Sequence, residues 1–194
     1  MPEPPMGSGN FFYNQLTIMN QPLIKTGLRY GIIGTLVFIA AYTSLAFIFK
    51  NPPFSLPVPL HALALFLFIF GAAYELRTQQ QSLHFWQGGA IGVIVYLCIA
   101  IGSVFCIHSL FAYGDQVIEW ERTARLHYAS INQAQMENYV GVEGVVEQKI
   151  QEIRTFGAWR LAINNYLWIN LIIGLFLSIF VAFLLRKKKV DTPT

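Results

Sequence analysis

The side chains able to do acid–base or metal chemistry are few and scattered. His61 and His108 fall near the ends of two apolar stretches, and Asp115 and Glu119 follow His108 by one to three helical turns. Imidazole and carboxylate together form a donor set for a divalent metal. Metal sites, however, come with short and specific ligand spacings, and none occurs here. Histidines bonded to backbone or water at a membrane interface are the simpler expectation, and His84 and His127 read as loop residues. Cys98 and Cys106 stand eight residues apart, which is about 12 Å along a helix and too far for a disulfide. They read as small packing residues. No metal and no cofactor is expected.

Nucleophilic catalysis has no support either. The chain contains no G-x-S-x-G elbow, no H-E-x-x-H and no glycine-rich phosphate loop. It is therefore not expected to be an enzyme. The middles of the apolar stretches lack Asp, Glu, Lys and Arg. That argues against a proton-coupled transporter or pump, because buried ionisable groups mark such pathways. A neutral pore or a carrier of apolar molecules stays open. Glu75 and Arg77 flank one stretch end. Being two apart, they do not share a helix face; they read as groups snorkelling to the headgroups, with an interfacial ion pair or a contact to a partner as the alternatives. Asn164, Asn165, Asn170 and Ser178 are polar residues in the last stretch, with Asn170 the deepest and expected to face other helices.

The elements that must position these residues are four apolar stretches, Leu28–Phe49, Val58–Leu76, Gly89–Tyr113 and Leu161–Leu185. Each is close to the ~20 residues that cross a ~30 Å hydrocarbon core. The only Lys, Arg, Asp or Glu within them are Arg29 and Glu75, both near an end. With 55% hydrophobic and 12% charged residues, the composition departs from a soluble domain in the same direction. The net charge of +3 is too small for a nucleic-acid footprint and is concentrated at Arg186–Lys189. The fold class is therefore all-α: a polytopic membrane protein with four transmembrane helices.

The chain divides into an N-terminal tail over 1–26, helices one to three over 27–113, an insert over 114–160, helix four with its basic end over 161–189, and a short tail over 190–194. Met1–Asn10 has little to bury and should be disordered. Phe11–Ile24 would lie on the membrane surface or trail as a floppy tail. No h-region of a signal peptide is visible. Pro52, Pro53 and Pro57 forbid a continuous helix between the first two stretches. Phe85 and Trp86 suit an interface.

Four spans put both termini on one side. That side carries Lys25, Arg29, Arg77, Arg186, Lys187, Lys188 and Lys189, all close to span ends. The other carries Lys50, Arg122, Arg125, Lys149, Arg154 and Arg160. The positive-inside rule weighs residues at span ends most, so both termini are placed in the cytoplasm.

The insert Gly114–Arg160 holds seven acidic and five basic residues. Val117, Trp120, Ala124, His127, Tyr128 and Ile131 recur at helical spacing, as do Val142, Val145, Val146, Ile150, Ile153 and Phe156. Tyr139–Gly144 suits a turn. The pattern predicts an extracytoplasmic amphipathic hairpin that continues span three outward and returns into span four. Its stripe packs on itself, on the membrane or on a partner. Trp120, Tyr128, Ile131, Val146, Ile150 and Ile153 are the candidates for docking.

Small residues four apart let helices approach closely in lipid. Gly27, Gly31 and Gly34 form one such set and Gly88, Gly89 and Gly92 another. The expectation is that spans one and three meet there.

Three segments carry a family resemblance. Ile24–Gly34 (IKTGLRYGIIG) looks like a basic-Tyr-Gly start of a first helix, and Ser82–Gly92 (SLHFWQGGAIG) like a Ser-Phe-Gly-rich start of a third. The third is the charged helical insert before a last helix with a basic end. This layout resembles an uncharacterised membrane family of Bacteroidetes, domain of unknown function 4199, over roughly residues 24–189. The resemblance carries no catalytic residues. It implies a multi-pass protein of the bacterial inner membrane whose partner is another membrane or envelope protein, such as a membrane-linked glycosyltransferase, or a second copy. Two functions follow from the sequence: a non-catalytic accessory subunit that docks a partner through its hairpin, or a small transporter or channel for a neutral or lipidic substrate. The second would need a cavity lined by Asn170, Ser103 and Thr43.

Overall fold

The computed structural model describes residues 8–132 and 145–186, and among these all regular structure is helical. Helix α1 spans Ser8–Phe47, α2 Val58–Gln80, α3 Phe85–Tyr113, α4 Asp115–Ile131 and α5 Val145–Thr155. Helix α6 (Ala158–Ala162) runs through a π-turn (Ile163–Leu167) into α7 (Trp168–Leu185). Three segments, Gln21–Phe47, Val58–Gln80 and Phe85–Tyr113, are long and apolar enough to cross a membrane, which makes this a membrane protein.

Local chemistry sets the boundaries. After α1, Lys50 takes a left-handed φ of 50°, and Pro52 and Pro53 stop the helix because neither has an amide hydrogen. A 3₁₀ turn, Pro53–Ser55, leads to α2, whose first turn contains Pro59, a position that tolerates proline. Helix α2 ends at Gln81 with φ 60°. The α3 start is tied twice: Gln87 Oε1 accepts from the His84 amide at 3.0 Å, and Gln87 Nε2 donates to Gln80 Oε1 at 3.1 Å. His84 is thus the residue that caps α3.

Helix α3 is the central element, flanked by α1 and α7, while α2 closes the remaining side against all three. Leu65, Ile69 and Leu76 of α2 pack with Ile91, Val95 and Ile99 of α3 in a fully enclosed core. Ile172, Phe176 and Phe183 of α7 point outward.

The α1–α3 seam is close because α1 has no side chain at three positions. A Cβ at Gly27 would lie 3.0 Å from Ile94 Cγ2, at Gly31 2.7 Å from Cys98 Cβ and at Gly34 2.5 Å from Ile99 Cδ1. Thr35 Oγ1 donates to Gly31 O at 2.8 Å and lies 3.0 Å from Cys98 O. The glycines of α3 meet a different neighbour from the one expected. A Cβ at Gly88 would come within 2.9 Å of Ala182 Cα, and at Gly92 within 2.5 Å of Ser178 Oγ, both on α7. Gly89 faces open space. Helical periodicity turns Gly88 and Gly92 to one face and Gly89 to another.

Three further differences from the sequence reading have physical causes. Helix α1 begins at Ser8, inside the expected tail; its 40 residues make a rod of about 60 Å. Once the apolar segment is helical, each preceding residue adds a bond at small cost. The last apolar stretch is interrupted by the π-turn that contains Asn164 and Asn165, leaving Asn170–Leu185 as a shorter apolar helix. Finally, α4 does not prolong α3 outward. The chain breaks at Gly114 (φ −122°, ψ 83°), and α4 returns across the bundle end to pack on the 3₁₀ turn and on α5. The turn expected at Tyr139–Gly144 lies outside the described residues.

Candidate functional site

Where α4 crosses the bundle end, it delivers a carboxylate to the interior. Glu121 is fully buried. Its Oε1 accepts from Arg125 Nε at 2.7 Å and from Tyr166 Oη at 2.9 Å. Arg125 stands one turn along α4 and also lies over the Tyr166 ring, 5.7 Å from its centroid. A buried charge is tolerated only when it is both paired and hydrogen-bonded, and Glu121 meets both conditions. Tyr166 sits in the π-turn, a wide turn that often occurs at functional positions.

The cluster continues into the bundle. Asn170 Nδ2 donates to the Tyr166 carbonyl at 2.7 Å, and Asn170 Oδ1 lies 2.5 Å from His61 Nε2. The other imidazole nitrogen, Nδ1, faces Tyr42 Oη at 3.3 Å. The Tyr42 ring meets the Tyr166 ring edge-on at 6.0 Å, and Phe38 lies against His61 at 4.7 Å. Four separate segments therefore converge: α1 through Tyr42, α2 through His61, α4 through Glu121 and Arg125, and the last helical path through Tyr166 and Asn170. The arrangement can tie these segments together and orient the imidazole.

The other candidates are dispersed. His108 packs edge-on against Trp159 at 4.8 Å, away from the partners of His61. Glu119 pairs with Arg122 on the α4 surface. Among the described residues no group of three or more His, Cys, Asp and Glu could hold a metal. Ser103 and Asn170 are fully enclosed. Thr43 instead lines an off-centre cleft of about 340 Å³ between α1 and α3, with Ile39, Phe47, Cys106, Leu110 and Tyr113. Thr43 is therefore separated from the two residues with which it was expected to line a channel.

At the opposite end, Arg29 pairs with Glu75, and Gln79 Nε2 donates to the same carboxylate at 2.9 Å. Lys25, Arg77 and Arg186 belong to this end, with Lys25 and Arg186 exposed, while Lys187, Lys188 and Lys189 lie outside the described residues. On α4, Trp120 is half-buried against the core, whereas Tyr128 and Ile131 are exposed at 53% and 67%. On α5, Ile153 is buried and Ile150 half-buried. Val146 belongs to α5, and its side chain is outside the described set. Arg122 Nη2 donates to the Phe156 carbonyl at 2.9 Å, which joins α4 to the segment after α5.

Sequence reasoning missed Glu121, Tyr166 and Tyr42. Glu121 looks like any of seven acids in a polar insert. A faint signal exists: Val117, Glu121 and Ala129 share the buried face of α4, so the charge falls on the apolar stripe.

No curated protein and no solved structure matches this chain. A match to a family model covers residues 25–187, reaching from the start of the α1–α3 seam to the basic end of α7 and taking in every member of the buried cluster. The chain belongs to the family described as Protein of unknown function (DUF4199).

Proposed function

We propose that this is a four-span protein of the bacterial inner membrane, with both termini in the cytoplasm and no catalysis of its own. It serves as an accessory subunit that presents α4 and α5 outside the cytoplasm to another membrane or envelope protein. One observation carries the reading. Glu121 of α4 turns inward and is bonded across to the Tyr166 hydroxyl, with Arg125 of the same helix as its counter-ion, while the side chains of Tyr128 and Ile131 lie at the surface, exposed by more than half. A helix held this firmly presents its outward side chains in a fixed attitude, which lowers the ordering cost of binding.

Other features support the arrangement. The path from Ala158 to Leu185 continues through the π-turn, and its length suffices for a fourth crossing. Lys25, Arg29 and Arg77 cluster where α1 and α2 are joined by the Arg29–Glu75 pair, as the positive-inside rule requires of a cytoplasmic end.

The test is site-specific photocrosslinking in intact membranes, with the photoreactive residue placed at Tyr128 or Ile131. A discrete adduct with one other protein is expected at both positions, and none from Phe176 on α7. Adducts with lipid alone, or none, would overturn the docking role. Deleting 116–152 should abolish co-purification of the same protein while leaving membrane insertion intact.

A further inference from the structure

We propose that the cleft between α1 and α3, at the α4 end of the bundle, binds the hydrocarbon tail of a single lipid. The cleft follows from the side chains along the seam. Up to Gly34 and Thr35 the two helices touch closely, with Gly102 of α3 against Thr35. Beyond that level the helices carry Ile39, Thr43 and Phe47 on one side and Cys106, Leu110 and Tyr113 on the other. These side chains recur every four residues or so and hold the axes apart. A groove opens along roughly two helical turns, about 11 Å.

Its chemistry selects a tail and rejects a headgroup. Few polar side chains line it. Ser109 Oγ donates to Phe105 O at 2.9 Å, and Tyr113 carries its hydroxyl at the exposed rim. Ile39, Phe47 and Leu110 supply the remaining walls. The volume of about 340 Å³ admits roughly eleven groups of ~30 Å³ each, the share of one water in the liquid and close to that of a methylene.

Location fixes the occupant. Both walls belong to helices apolar and long enough to span a membrane, and the groove is continuous with their lipid-facing surface, where Phe47 and Phe105 are exposed. Hydrocarbon chains are what surrounds this surface. A chain inside the groove meets protein on several sides, whereas one on the convex α7 face meets it on one. Tyr113, exposed at the rim, places a phenol where tail gives way to headgroup, the depth that amphipathic aromatics favour.

The experiment uses the full chain in nanodiscs of phosphatidylethanolamine and phosphatidylglycerol, doped with a phosphatidylethanolamine bearing a mid-chain diazirine. After irradiation, adducts are mapped by mass spectrometry. Insertion at Ile39, Thr43, Cys106 and Leu110 should exceed that at Ile172 and Phe176 by about tenfold, since roughly ten methylenes each gain extra dispersion contacts. Thr43→Phe should lower the groove signal to the α7 level. Ser109→Phe, at an exposed rim position, fills the mouth without burdening the core and should do the same. Equal labelling of groove and α7 face would mean passing annular lipid only, and would overturn the proposal. So would protein–protein adducts from a second copy at these positions, or labelling that both filled variants leave unchanged.

Discussion

The Tyr166 hydroxyl is the smallest group whose removal tests the anchoring of α4. Tyr166→Phe keeps the ring against Tyr42 and deletes one hydrogen bond to a buried carboxylate. Such a bond, made to a charged group, contributes ~1.5–3 kcal/mol. Glu121→Ala removes the carboxylate that Arg125 and Tyr166 share, and breaking a buried pair costs ~3–5 kcal/mol. The loss should appear as local opening of α4. At ~1.4 kcal/mol per factor of ten, amide hydrogen exchange across 115–131 should accelerate about 10- to 100-fold in Tyr166→Phe, and further in Glu121→Ala. Exchange in α2 should change little. The double variant should fall short of the sum of the singles by ~0.5–3 kcal/mol, because both act on one interaction. Exchange within about twofold of wild type in both single variants, or strict additivity, would refute the view that Glu121 fastens α4 to the bundle.

Other substitutions separate the seams. Gly31→Val should cost ~1–3 kcal/mol, since a Cβ there meets Cys98 at 2.7 Å. Gly89→Ala, facing open space, should be neutral or stabilising by up to ~1 kcal/mol. Thermal unfolding of the purified protein in one detergent compares the two, and equal behaviour would contradict the packing described. Arg29→Ala should change stability by no more than ~1 kcal/mol, as Arg29 is largely exposed; a much larger loss in the same assay would mean that the Glu75 pair is more enclosed than its exposure indicates. Arg122→Ala should raise protease sensitivity near Thr155–Gly157 by removing the bond to the Phe156 carbonyl, and an unchanged digestion pattern would show that bond to be dispensable.

What can be read from the sequence is what local pattern encodes. Uninterrupted apolar runs identify α2 and α3, and glycines at four-residue spacing show where a backbone must come close. Such a motif says nothing about which neighbour approaches. Gly88 and Gly92 meet α7, a choice set by the handedness and order of the whole bundle. Asn170 stands out because an amide in hydrocarbon needs a partner, but its partner, His61, is 109 residues away. Glu121 is harder still. Its burial depends on α4 turning back at Gly114 and on a tyrosine 45 residues further on, and neither has a local signature strong enough to set it apart from the other acids. The π-turn is invisible for the same reason: one extra residue per turn leaves the composition unchanged.

The length of α1 has a mechanical consequence. A rod twice as long as one bilayer crossing must project, and its forward end is joined to the membrane part through Pro22. Proline offers no amide to the carbonyl of Ile18, so the rod is weakest in bending at that single joint. The same rod thus has a built-in hinge point, as a mast has where it is stepped in the deck: the backbone bond missing after Ile18 makes Pro22 the place where a bend costs least.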